Sequence, residues 1–343
     1  MDDNLISSTY WGSYRGRDVF LFRITAPDGT YVELTNYGAA IVSIVIPDRY
    51  GQMGHVVLGF PTLQGYLQDK CYLGATVGRY ANRISNGRFN IDGRTYRLET
   101  NDGVHTNHSG SAGFNSKVFE YEILDHGILF SYLSPEGEGG FPGELLLVVK
   151  YTWEDMGLVM DYTAETSQKT PVNISNHSYI NLRGEGSILD QELTIYSNQY
   201  LETTPDHIPT GVLSANSELL FHKAKVGSRF QVEGKAWKGL NTCYVLEDSD
   251  RGTLRKAAEL FDPVTGRVLQ VFSTYPGLLL YTGDYLSTQT LGHQKQPYKA
   301  FDGLCLECQY YPDAPNRPDF PSTFLKPDQI YHERISYQFH VQS

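Results

Sequence analysis

Apolar and polar positions alternate with a period of two through much of this chain. Val19, Leu21 and Arg23 fall on one face of a strand, as do Tyr31, Glu33 and Thr35 of a second, with Pro27-Asp28-Gly29 as the turn between them. Val42 to Ile46 forms a further strand that Pro47-Asp48 ends. GRFNIDGRTYRLETNDG, from Gly87, predicts two short strands around Asp92-Gly93. Strand patterns recur at 119–134, 144–153, 158–165, 191–197, 243–247, 257–261, 267–274, 278–282, 303–310 and 331–341, with Asp262-Pro263-Val264-Thr265-Gly266 as a hairpin connection. Residues 61–68 predict one short helix. Heptads and low-complexity tracts are lacking. Many short strands separated by turns predict an all-β sandwich or barrel rather than alternating βαβ units. The expectation is a β-sandwich with few short helices, residues 1–343 forming one domain.

Two strands carry candidate chemistry. In VNISNHSYINL, alternation places His177 with Asn173, Ser175, Tyr179 and Asn181, and sets Val172, Ile174, Ile180 and Leu182 on the opposite face. Such a strand would lie between an apolar core and a wet cleft. In GLCLECQYY, Cys305, Glu307 and Gln309 share one face, and Leu304, Leu306, Cys308 and Tyr310 the other. The Cys-x-x-Cys spacing resembles a zinc or redox site, but alternation points Cys305 and Cys308 in opposite directions, so no metal is expected there. Glu307, flanked by apolar residues, should be desolvated and its pKa raised.

Composition narrows the possibilities. The 25 Tyr and 16 Phe favour strands, and 33 Gly and 16 Pro supply turns. A net charge of −11 argues against nucleic acid and anionic membranes, which need basic surfaces, but not against uncharged ligands. No apolar run is long enough to span a bilayer. The start Met1-Asp2-Asp3-Asn4 lacks a signal peptide's basic and apolar segments, so a cytoplasmic protein is expected, although a removed leader would leave no trace. Four cysteines are too few for a disulfide framework. The glycine-rich loop from Ser134 to Gly143 has acids and no lysine, and reads as a turn rather than a phosphate cradle.

Two more polar clusters complete the candidates. GRYANRI holds Arg79 and Arg83, whose forked donors suit carboxylates or hydroxyls, and VHTNHSGSAGF holds His105 and His108. With His177 and Glu307 they would make a cleft suited to a neutral polyhydroxy ligand.

At these residues the chain resembles the aldose 1-epimerases, the galactose mutarotase family. Seven motifs carry the resemblance in order: TNYGAAIVSIVIPDRYG (35–51), GRYANRISNGRF (78–89), HSGSAGF (108–114), NHSYINL (176–182), TPDHIPTG (204–211), PGLLLYTGDYL (276–286) and LECQYYPDAPN (306–316). The resemblance implies a large twisted antiparallel β-sandwich that interconverts the α and β anomers of a free monosaccharide without cofactor or metal, as a monomer or homodimer. It implies Glu307 as general base, His177 as general acid, and Asn82, Arg83, His108 and Tyr179 as sugar-holding residues. Asn241 stands where the family usually has a sugar-binding Asp, Leu279 where it often has Gln, and Asp284 where it has Asn. These departures imply an altered sugar preference.

The chemistry agrees with the resemblance. Opening a pyranose needs a base for the C1 hydroxyl and an acid for the ring oxygen, and reclosure after rotation about C1–C2 reverses the two roles. A carboxylate and an imidazole with an ordinary pKa of about 6.5 can do both. Two rivals remain at this point. A sugar-binding protein without catalysis would need Arg83 and His108 but not both Glu307 and His177. A glycoside hydrolase or lyase would want a second carboxylate, for which only the distant Asp284 offers itself.

Overall fold

Three sheets organise the chain in the computed structural model, which describes residues 5–230, 239–246 and 252–342. A five-stranded meander runs in sequence order through Leu5–Tyr14, Arg17–Thr25, Tyr31–Thr35, Ala40–Pro47 and Met53–His55. A nine-stranded antiparallel sheet starts at Glu120–Leu124 and has at its centre Leu145–Glu154, Gly157–Thr166, Tyr331–Val341 and Arg267–Ser273. A six-stranded sheet orders Tyr179–Ile180, Leu304–Gln309, Gly277–Tyr281, Asn241–Val245, Tyr200–Thr203 and Pro209–Ser214. The one α-helix among the described residues, Leu63–Gln68, lies within the stretch the sequence predicts.

One apolar core joins the layers. The nine-stranded sheet contributes Val149, Trp153, Met160, Val271 and Tyr337, the meander Phe22, Val32 and Ile44, and the six-stranded sheet Leu278, Leu280, Leu306 and Cys308. Each such side chain, fully buried, contributes about 1.5–3 kcal/mol. Alternation places the odd-numbered neighbours Leu279, Tyr281, Cys305 and Glu307 on the other face of the six-stranded sheet. That face is the floor of the candidate site. The architecture is the all-β sandwich expected from the sequence.

Several local expectations change. The run 119–134 is a hairpin, Glu120–Leu124 and Gly127–Ser134. The strand expected at 243–247 is Asn241–Val245, and Glu247 lies outside the described residues, as does Met1–Asn4. The stretch 172–182 is not one strand. Ser175–Asn176 pairs with Thr76–Val77, Tyr179–Ile180 pairs with Leu304 and Cys305, and Asn173 forms a parallel bridge to Tyr80. The two faces survive this fragmentation, since Val172, Ile174, Ile180 and Leu182 all enter the core. The polar face is not a wet cleft throughout. Asn173 bonds Ala81 O and the backbone of Tyr310, Ser175 bonds Cys308 O, and Asn181 bonds Gly186 O and Asp302 O. These side chains replace the ladder hydrogen bonds that the broken strand lacks.

Candidate active site

His177 hangs from this irregular stretch. Its backbone N–H donates to Ala75 O, and its carbonyl accepts from Gly74 N. Gly74 sits at φ +66° against Ile41, where a Cβ would lie 1.9 Å from the Ile41 carbonyl oxygen, so only glycine lets the chain pass beneath His177. The imidazole points over the six-stranded sheet, with Tyr179 at 5.2 Å and Tyr281 at 6.4 Å between ring centroids. Its Nε2 lies 3.7 Å from Glu307 Oε1, and both side chains are almost fully buried. Glu307 Oε2 is buried and has no hydrogen-bond partner among the described residues.

Burial moves the two groups in opposite directions. It pushes Glu307 up to about 8, with Arg83 pulling the other way. It pushes His177 down to about 4, opposed by a hydrogen bond to its own backbone. Near neutrality the pair therefore holds one proton, and its titration belongs to the pair rather than to either residue.

The loop residues above the pair are locked by backbone bonds. Asn82 donates its N–H to His108 Nδ1 at 3.1 Å and accepts from Arg83 N through Oδ1 at 2.8 Å. Arg83 Nε donates to Asp102 at 2.7 Å, which orients the guanidinium. Tyr72 closes one wall, its ring 4.8 Å from that of His108. Tyr72, Asn82 and His108 all adopt left-handed backbone, at φ 61°, 66° and 49°. Such conformations persist in non-glycine residues where the surroundings enforce them, often at functional sites.

His108, His177 and Glu307 form a two-histidine, one-carboxylate set whose ligand atoms lie within 4.8 Å of one another. The tautomer of His108 argues against a metal. Burial, then His177 and Arg83, hold its pKa well below the usual range, so the ring is neutral. Its Nδ1 lone pair is occupied by the Asn82 N–H, so the proton resides on Nε2. A metal-bound histidine presents a free lone pair and donates its other N–H outward, which is the reverse arrangement. His108 is instead a hydrogen-bond donor, as a hydroxyl ligand needs.

Seven of the residues nominated from the sequence, Glu307, His177, Asn82, Arg83, His108, Tyr179 and Asn241, line one pocket, with Leu279 beside Glu307 on its floor. Arg79 and His105 do not join them. Arg79 is buried and spends its guanidinium on the carbonyls of Ser134, Pro142 and Gly143 and on Ser134 Oγ, so it supports the glycine-rich loop rather than a ligand. His105 accepts from Asn86 N. Asp284 is also tied down, accepting from Gly239 N. Sequence reasoning missed Lys70, Cys71, Tyr72, Asn107, Tyr281 and Tyr285, which also line the pocket. Tyr281 was detectable, two residues from Leu279 on the same strand face. The segment Lys70 to Tyr72 is loop and gives no periodic signal.

The sequence profile of the aldose 1-epimerases matches residues 21–338. The chain belongs to the aldose 1-epimerase family. Within that family, the galactose mutarotase of Rattus norvegicus is 39% identical over 317 residues, covering 92% of each chain. The aldose 1-epimerase of Escherichia coli is 33% identical over 323 residues, covering 91% of this chain and 92% of its own. Among solved structures, the aldose epimerase homologue from C. elegans superposes with a TM-score of 0.87 at 26% identity, over 93% of this chain and 98% of that one. Galactose 1-epimerase from Lactobacillus acidophilus gives 0.85 at 21% identity, over 99% and 100%, a likeness of fold. Five of the seven motifs, 78–89, 108–114, 176–182, 276–286 and 306–316, contribute residues to the pocket, and 35–51 and 204–211 do not. No helix among the described residues of this aldose 1-epimerase family member is long and apolar enough to cross a membrane.

Proposed function

We propose that this chain interconverts the α and β anomers of a free aldose, with Glu307 and His177 as the proton-transferring pair. The observation that carries the reading is their contact: Nε2 and Oε1 are 3.7 Å apart, buried, and share one pocket with Arg83 and His108. Both groups can then reach oxygens attached to the same carbon, C1 of the sugar. When the shared proton is on His177, Glu307 is a carboxylate that takes the proton of the C1 hydroxyl, while His177 gives its own to the ring oxygen. Burial opposes this charged arrangement, and the neighbouring Arg83 favours an ionised Glu307. The C1–O5 bond breaks, leaving the open aldehyde. Rotation about C1–C2 presents the other carbonyl face, the ring oxygen attacks it, and both protons return. Asn82, Arg83, His108, Tyr179 and Asn241 hold the remaining hydroxyls.

The pocket supports this reading over its rivals. Glu307 is the one carboxylate among the described residues lining it, whereas glycoside hydrolysis normally uses two. A binding protein would have no use for a desolvated acid and base in contact. The test is polarimetry of freshly dissolved aldoses, including D-galactose, with and without the protein. Accelerated decay of optical rotation is expected for at least one sugar. Spontaneous rates across the whole panel would overturn the assignment.

A further inference from the structure

The mechanism uses His177 Nε2 and leaves the other nitrogen unexplained. His177 Nδ1 lies 3.6 Å from Cys305 Sγ, and Cys305 is completely buried. Cys305 is placed there by the sheet, opposite Tyr179 on one neighbouring strand and Tyr281 on the other. It belongs to the apolar floor cluster with both tyrosines, while Cys308 packs in the main core.

We infer that Cys305 is a positioning residue, whose Sγ accepts a hydrogen bond from His177 Nδ1–H and keeps the neutral ring's lone pair on Nε2. The contact alone does not fix its direction, because a thiol is both a weak donor and a weak acceptor. The proposed reaction decides it: Nε2 faces Glu307 and must present a lone pair to the sugar, so the neutral ring carries its hydrogen on Nδ1, the nitrogen that Sγ faces. Burial holds the thiol protonated, so Cys305 brings no charge to the pair. The other titratable groups around the ring are Glu307, His108, Tyr72, Tyr179 and Tyr281.

The tautomer matters at one stage. After ring opening, His177 is neutral and the ring oxygen carries a proton. Reclosure requires Nε2 to take that proton back, which needs its lone pair free. If the hydrogen moved from Nδ1 to Nε2, the ring would present a second donor and the sugar could not close. Which nitrogen carries the hydrogen is set by the partner of the other.

This inference rests on the proposed reaction for its direction and its consequence, but its test has a readout independent of activity. Nitrogen-15 NMR of histidine-labelled protein, with His177→Asn to assign the signal, reports which ring nitrogen is protonated. Cys305→Val fills the space without an acceptor, and Cys305→Ser retains an acceptor in a smaller side chain. The expected result is a protonated Nδ1 in the unmodified protein and in Cys305→Ser, and a mixture of tautomers in Cys305→Val. By polarimetry, Cys305→Val should lose about tenfold in kcat with KM unchanged, the lower end of what losing a ring's orienting partner costs, and Cys305→Ser should recover most of it. A packing role would give the opposite order, Val above Ser, and would overturn the inference. So would an unmodified protein whose neutral His177 carries its hydrogen on Nε2, a result that needs no variant to fold. A Cys305-dependent Nδ1 proton in a protein without mutarotase activity would refute the catalytic reading and leave the tautomer assignment standing.

Discussion

Leu279 and Glu307 are direct partners across the antiparallel ladder, and both line the pocket. The carboxylate therefore has an aliphatic neighbour at about 4.5–5.5 Å between Cβ atoms. A sugar hydroxyl pressed against Leu279 loses water without replacement, at about 1–3 kcal/mol. Asn241 reaches the same pocket as an uncharged acceptor, where a carboxylate's hydrogen bond would be roughly twice as strong. Pentoses and 6-deoxy sugars, such as L-arabinose, D-xylose or L-fucose, should therefore exceed D-galactose and D-glucose in kcat/KM. Leu279→Gln combined with Asn241→Asp should shift the preference toward galactose. Galactose or glucose turned over best by the unmodified protein, with no gain from the double change, would defeat the idea and leave the epimerase assignment intact.

Glu307→Gln preserves shape and removes the base, and His177→Asn removes the acid. Each should lower kcat by about a hundredfold or more on the preferred sugar, the usual scale of acid–base contributions. Full activity in either variant would end the proposed mechanism.

The pH dependence follows from the single shared proton. Below about 4, the value to which burial pushes His177, the pair takes a second proton and no base remains. Above about 8, the value for Glu307, the pair loses its only proton and no acid remains. A plot of kcat/KM against pH should be bell-shaped between these limits, which belong to the free enzyme. A rate still rising beyond the upper limit would show that the pair does not act through a shared proton.

Arg79→Met tests the structural assignment of that arginine. Removing the guanidinium strands buried carbonyls of Ser134, Pro142 and Gly143 and should cost about 3 kcal/mol or more. Urea denaturation should register the loss, with kcat/KM of the folded protein unchanged. Undiminished stability with weakened sugar binding would return Arg79 to the pocket.

The His108 tautomer predicts indifference to metal. Dialysis against a strong chelator should leave the rate of mutarotation unchanged, and added zinc should not restore or raise it. Recovery of activity on adding zinc would contradict the lone-pair argument.

Legibility in the sequence varied with how local the cause was. Long strands such as Leu145–Glu154 and Tyr331–Val341 alternate cleanly because one face meets the core along their whole length. The stretch around His177 misled because its partners, Thr76–Val77 and Leu304–Cys305, come from distant parts of the chain and each reaches only two of its residues. The faces were still correct, since burial of Val172 and Ile174 does not require an unbroken ladder. Arg79 and Arg83 look equivalent in GRYANRI, yet Arg79 turns into the protein and Arg83 borders the pocket, a difference made by carbonyls some sixty residues away. Tyr72 was invisible because a loop residue's direction depends on its backbone torsion, which composition does not reveal.

The left-handed backbone at Tyr72, Asn82 and His108 bears on how this pocket can be redesigned. A β-branched or bulky replacement at any of them meets a conformational penalty before it meets a ligand. Leu279, Tyr281 and Asn241 sit on regular strands, whose backbone accepts most side chains. Saturation libraries at the three loop positions should be depleted by misfolding, whereas libraries on the sheet should yield folded proteins with redirected selectivity. The pocket thus has a wall that resists change and a floor that can drift, and new sugar preferences should arise from the floor.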